Sequence, residues 1–262
     1  MGAGGVYRYP VRGTETDWAD RLQMGALFSL MQESAVSNAE ENGWGTPVLD
    51  PLRICWVLLR VSVRLDVFPR WQDVLQVETW PRELDRLFFL RDFRFRLETE
   101  GGSTDIGGAT SSWILVDTGT RRPRRPGVIP YDLSRTEPGR LSIGFTAPVL
   151  PAVEGLCDGE PAIVKYADAC DIDRNLHVNN TRYVAWCVDA VHRIDSGRPV
   201  LSGIDINYLS EARFGDKVRI HARREGTPTG ARYPVEGREA GTDTPVFRAI
   251  LYDESAAGRH SL

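Results

Sequence analysis

Two stretches with helical spacing of apolar residues are each followed by several strand-like segments and no second helix, an order that excludes most ways of folding 262 residues. From Ala19 to Asn38, residues Met24, Leu27, Phe28, Met31 and Ala35 recur at helical intervals, with Asp20 to cap the start and Gly43 to end it. Strands are expected at Val61–Val67 and Phe93–Leu97, which alternate cleanly, and near Val74–Trp80 and Ala109–Val116. In the second half a short strand, Ala162–Tyr166, precedes a helix with Tyr183, Trp186, Cys187, Ala190, Val191 and Ile194 on one face, closed by Gly197 and Pro199. Strands are then expected near Ile204–Leu209, Val218–Ala222, Arg232–Glu236 and Val246–Tyr252. Neighbouring parallel strands need a crossover, usually helical, so this order predicts an α+β fold: an antiparallel sheet curled around one helix, formed twice.

Short identities support a duplication. Asp20-Arg21 resembles Asp173-Arg174, and Arg70-Trp71-Gln72-Asp73 resembles Arg213-Phe214-Gly215-Asp216. The extra residues of the first copy are placed in Gly43–Leu52. This pairing sets Leu22 and Met24 where the second copy has Asn175 and His177, and Phe68 opposite Glu211, so apolar residues replace polar ones throughout. The expected organisation is a first domain over 1–126, a linker over 127–160 and a second domain over 161–262. If the copies pack side by side under a continuous sheet, a polar second copy and a greasy first one suit a long apolar substrate, although the same apolar residues serve equally as plain core.

The chemistry concentrates in Asp173-Arg174-Asn175-Leu176-His177-Val178-Asn179-Asn180, with Glu211 following His177 by 34 residues. A neutral imidazole takes a proton from water near pH 7, a carboxylate orients the imidazole or the water, and an amide holds a polarised oxygen. That set suits hydrolysis. Singly, Asp and Asn ahead of an apolar helix are also ordinary capping residues.

Other classes are disfavoured. A net charge of −4 gives no general attraction to nucleic acid. No apolar run approaches the roughly 20 residues of a membrane span, and no signal-peptide pattern opens the chain, so a cytoplasmic protein is expected. Cys55, Cys157, Cys170 and Cys187 match neither a zinc pattern nor a disulfide framework; Asp171, Asp173 and His177 are close in sequence, but His192, His221 and His260 show no ligand spacing with them, so neither metal nor cofactor is expected. Residues 1–5 and Glu254–Leu262 are expected to fray.

Asp173-x-Asn175-x-His177-Val178-Asn179-Asn180-x-x-Tyr183, with Ile206-Asn207-Tyr208 and Glu211, resembles the acyl-acyl-carrier-protein thioesterases. So do Glu78-Thr79-Trp80, Arg91-Asp92, Ala109-Thr110-Ser111-x-Trp113-Ile114 and Thr120-Arg121-Arg122-Pro123. The resemblance implies two tandem hotdog domains and hydrolysis of a fatty acyl thioester to free acid and holo carrier. Asp173, Asn175, His177 and Glu211 match the family's catalytic positions. By chemistry, His177 would bind or deprotonate the water and Glu211 orient or activate it, while Asn175 positions the reacting groups and Asp173 holds the loop. A backbone N–H near Asn179 would receive the oxyanion.

Plant members carry a cysteine after the glutamate, and Ala212 stands here, which favours water attack over an acyl-cysteine. The absence of a transit peptide pattern suggests a bacterial member. The partner implied is an acyl carrier protein with its phosphopantetheine arm; Arg121, Arg122, Arg124 and Arg125 form the densest basic cluster and are the docking candidates, although such a cluster reads first as a solvated turn. Met24, Leu27, Phe28, Met31 and Trp56 are candidates for the acyl pocket. An acyl-CoA thioesterase, a hotdog hydratase and a non-catalytic acyl-binding protein remain as alternatives, and monomer and homodimer are both compatible with fused copies.

Overall fold

A computed structural model describes residues 3–253, so the expected fraying of Glu254–Leu262 lies outside the described residues. The chain divides into two compact units, Met1–Ala147 and Pro148–Leu262. Unit 1 runs β1 (Gly5–Pro10), α1 (Met24–Glu41), α2 (Thr46–Leu49), β2 (Ile54–Leu65), β3 (Val74–Asp85), β4 (Phe88–Thr99) and β5 (Gly102–Asp117). Its strands lie in the order β1-β3-β4-β5-β2, every pair antiparallel. Unit 2 runs β6 (Ile163–Tyr166), α3 (Asn180–Ile194), β7 (Gly203–Tyr208), β8 (Lys217–Ala222), β9 (Glu225–Thr227), β10 (Gly230–Glu239) and β11 (Pro245–Asp253). Its order is β6-β8-β10-β11-β7, with β9 added to β10. Strand for strand the two orders are the same, so the repeat inferred from periodicity is a repeat of topology, and each unit is a hotdog.

Each sheet buries the apolar face of its own helix. Met24, Leu27, Phe28, Met31 and Ala35 of α1 are buried, as are Tyr183, Val184, Trp186, Cys187, Ala190 and Val191 of α3. The start of α3 is fixed by Asn179, whose side chain accepts the N–H of Thr181, a cap worth about 1 kcal/mol. His192 and Arg193 in its last turn complement the negative end of the helix dipole. The insertion expected in Gly43–Leu52 holds α2 and a 3-10 turn, Asp50–Leu52.

Two expectations need correction. Residues 3–5 do not fray: Ala3 is buried, its carbonyl accepts from the Asn38 and Asn42 side chains, and β1 begins at Gly5. Nor is 127–160 a free spacer. Residues up to Ala147 belong to unit 1, where Ile129 joins the core around Trp44, and Arg140 reaches Glu78. From Pro148 the segment belongs to unit 2, where Asn207 accepts the Leu150 N–H and Leu156 is buried. Scattered apolar residues were enough to pin a stretch whose proline and glycine content reads as linker.

One backbone position is intolerant. Gly107 sits in β5 at φ +145°, where β4 and β5 slip register between Phe95 and Arg96, and an added Cβ would lie 2.2 Å from the Arg64 carbonyl oxygen. Gly107→Ala is expected to destabilise by roughly 1–3 kcal/mol, read as a lower urea midpoint at unchanged slope.

Candidate active site

The His177 loop is built by its own backbone. Asp173 Oδ1 accepts the Asn175 N–H at 2.7 Å, the Asp173 carbonyl accepts the Leu176 N–H at 3.0 Å, and the Asp173 N–H donates to the His177 carbonyl at 2.9 Å. Leu176 takes the left-handed conformation, φ 63°, that closes this turn, and it points outward. Val178 then turns into the core and donates its N–H to the Ala212 carbonyl at 2.8 Å. Ala212 is held in turn by its own N–H, which donates to Tyr183 Oη at 3.1 Å. The Val178–Ala212 bond clamps the residues just before each of them, His177 and Glu211, side by side.

The result is a contact of 3.1 Å between His177 Nε2 and Glu211 Oε2, with side chains 15% and 38% exposed. The pair is therefore close enough to share a proton and open enough to meet water. Chemically it can act as a carboxylate-oriented base.

The other predicted residues divide. Asn175 is exposed, and its side chain makes no hydrogen bond among the described residues. Asn179 is the helix cap, and its own N–H is spent on the Asp171 carbonyl at 2.8 Å, so that group is not an oxyanion donor. Asp171, held by Arg182 Nε at 2.6 Å, stiffens the same corner. Cys187 is fully buried, and burial pushes its thiol well up, so it supplies no thiolate to replace the missing cysteine. Among the described residues no group of three His, Cys, Asp or Glu is placed to hold a metal, and no helix is long and apolar enough to cross a membrane.

Unit 1 contains the same loop with different chemistry, and it corrects the expected pairing of the copies. Asp17 Oδ1 accepts the Ala19 N–H, the Asp17 N–H donates to the Arg21 carbonyl, the Asp17 carbonyl accepts the Asp20 N–H, and Asp20 is left-handed at φ 61°. Leu22 N–H donates to the Pro69 carbonyl as Val178 does to Ala212. Asp17 therefore matches Asp173, Ala19 matches Asn175, and Arg21 matches His177, in place of Leu22 and Met24. The Asp-Arg dipeptides that suggested the earlier register occupy different steps of the turn. Phe68 remains opposite Glu211, and the Arg21 guanidinium lies 5.7 Å from the centre of its ring. Since the aspartate turn survives in a copy with neither imidazole nor glutamate, its physical task is to shape the loop.

Of the apolar candidates, Met24, Leu27, Phe28 and Met31 are buried in the unit 1 core, and only Trp56 lines the cavity found there. That cavity is an open cleft of about 510 Å³, a volume that includes the solvent at its mouth, between α1 and an aromatic wall of Trp44, Trp56, Phe89, Trp113 and Tyr131. Sequence reasoning missed it because these rings come from three strands and two separate loops. Arg121, Arg122 and Arg125 are exposed, whereas Arg124 pairs with Asp117 at 2.8 Å, on a turn that folds back along β5 through a Val116–Pro123 bridge.

Comparison with known proteins matches residues 6–129 to the acyl-ACP thioesterase N-terminal domain and residues 162–245 to the acyl-ACP thioesterase C-terminal domain. An oleoyl-acyl carrier protein thioesterase of Arabidopsis thaliana is 25% identical over 228 residues, 80% of this chain and 61% of that protein. A dodecanoyl-[acyl-carrier-protein] hydrolase of Umbellularia californica is 29% identical over 202 residues, 72% of this chain and 51% of that one. The matches thus span between half and three fifths of these plant proteins. Among solved structures, an acyl-ACP thioesterase from Bacteroides thetaiotaomicron aligns at TM-score 0.78 and 25% identity, over 95% of this chain and 97% of that one.

Proposed function

The chain belongs to the acyl-ACP thioesterase family, and from that premise we propose that it hydrolyses fatty acyl thioesters of acyl carrier protein to the free acid and the carrier thiol. The observation that carries this reading is the 3.1 Å contact between His177 and Glu211 on a water-accessible face. In the proposed step water adds its oxygen to the thioester carbonyl carbon as the pair takes its proton. The C–S bond then breaks, and the proton returns to the departing sulfur. Asp173 shapes the turn and Asn175 lies on its exposed rim, placed to meet substrate. The oxyanion is assigned to the start of α3, where the Asn180 N–H has no acceptor among the described residues. Release of free thiol from an acyl carrier, run beside the matched acyl-CoA, tests the reaction and the carrier together.

The acyl chain is assigned to the apolar cavity of unit 1. Ala39 lines that cavity from α1, and Ala39→Leu is expected to shift the preferred chain toward shorter acids by filling space, checked by competition among acyl carriers of different length. An unaltered length profile would remove the cavity from the site.

Carrier docking is assigned to the exposed guanidiniums of Arg121, Arg122 and Arg125. Reversing all three to Glu is expected to raise KM for the acyl carrier several-fold, less so at high salt, while kcat and the KM for acyl-CoA stay put. An unchanged KM for the carrier would return these residues to the role of a solvated turn.

A further inference from the structure

The unit 1 cavity holds one charged group, Arg91, and its surroundings leave that charge uncompensated. The residue is 9% exposed, and its two hydrogen bonds, from Nη1 to Asn38 Oδ1 at 2.8 Å and to Thr79 Oγ1 at 3.1 Å, both end on neutral oxygens. Nε and Nη2 have no acceptor among the described residues, and no carboxylate pairs with the guanidinium there. Its neighbour Asp92 is directed to the opposite face of β4, where it meets Arg82. Burial draws the Arg91 guanidinium down to about 10, which still leaves it charged at neutral pH.

The rest of the wall offers one other polar group, the hydroxyl of Tyr131, which burial holds protonated and which brings no negative charge to Arg91. The indole N–H groups of Trp44, Trp56 and Trp113 are spent on Pro130 O, Trp44 O and Ser111 Oγ. These rings present carbon to the cavity. A desolvated guanidinium with two unspent donor nitrogens, framed by aromatic carbon, is complementary to an anionic head on an apolar body. An acyl chain without an anionic end fills the same apolar space but leaves the guanidinium unused, so the charge favours a free acid over an uncharged chain.

We infer that the unit 1 cavity is a binding site for free apolar monocarboxylates, with the carboxylate paired to Arg91 and the body against the tryptophans. It shares the cavity with the acyl chain assigned above and so deepens that reading: the acid released by hydrolysis is itself a ligand and competes with substrate. Binding needs no turnover, so the two readings separate experimentally.

The test is titration of the protein with decanoate and with 1-decanol at pH 7, followed by tryptophan fluorescence and calorimetry. Decanoate is expected to bind about ten- to a hundredfold more tightly than the alcohol, the scale of a charge-assisted hydrogen-bonded pair. Arg91→Met is expected to erase that ratio while keeping alcohol binding. Val36 lines the same cavity and is largely exposed, so Val36→Glu serves as a second variant that need not disturb folding. It is expected to weaken decanoate selectively by charge repulsion. Equal affinities in the native protein, no decanoate binding at all, or a ratio unchanged in the variants that fold would overturn the inference. Carboxylate binding without thiol release would defeat the hydrolase reading alone, and thiol release without carboxylate preference would defeat this inference alone.

Discussion

Glu211→Gln is expected to lower turnover of an acyl-carrier thioester by roughly two to four orders of magnitude, the range that a positioned acid–base group supplies. The amide keeps the shape of the carboxylate and can still accept a hydrogen bond from His177 Nε2–H, 3.1 Å away, but it can neither take up the proton nor balance the charge of an imidazolium. Because the Glu211 side chain is 38% exposed and the loop is clamped by the Val178–Ala212 backbone bond, stability should change by less than about 0.5 kcal/mol. KM should stay close to native, since the lost interaction matters in the transition state. A Gln variant with near-native kcat would remove Glu211 from the reaction, and one that unfolds would mark it as structural.

The largest stability effect is expected in a buried pair of unit 1 that does no catalysis. Arg82 and Asp92 of unit 1 are fully buried and meet at 3.1 Å. Asp92 also accepts from Thr110 Oγ1 and from the Ser142 N–H, each at 2.8 Å, while Arg82 Nη2 donates to Thr146 Oγ1 at 2.7 Å. Arg82→Met leaves a buried carboxylate without its cation and is expected to cost about 3–5 kcal/mol. Arg82→Met/Asp92→Leu should recover much of that loss, because a buried pair replaced by apolar volume is often neutral. The pH dependence has a defined sign. Burial holds Asp92 above its ordinary value despite the Ser142 N–H and Arg82, which pull it down. Removing Arg82 raises it further, so the native form of the variant gains protons as pH falls and the deficit shrinks on acidification. Chemical denaturation at pH 7 and pH 5 measures this, and a deficit that grows in acid would contradict it.

How far the sequence was legible depends on the range of the information. The helix-then-strands order and the strand positions are local periodicities, and they carried through to two hotdogs of the same strand order. His177 and Glu211 stand out in the sequence because imidazole and carboxylate in polar loops are conspicuous against apolar flanks, and the fold brings the two into contact. The register of the repeat was misread because it was matched on residue identity, Asp-Arg to Asp-Arg. The structure aligns the copies by backbone role instead, through Asp17 with Asp173 and the left-handed Asp20 with Leu176. At the start of α3 the Asp171 carbonyl takes the Asn179 N–H, a contact set by tertiary placement of the turn, which leaves the Asn180 N–H as the nearby donor. The aromatic cavity, the uncompensated Arg91 and the buried Arg82–Asp92 pair all join residues from separate elements, which no window along the chain displays.

A double-mutant cycle on thiol release tests the central claim most directly. If His177 and Glu211 act as one unit, His177→Ala, Glu211→Ala and the double variant lose about the same activity, since removing either partner already disables the other. Losses that multiply in the double variant, or native thiol release from His177→Ala, would contradict it.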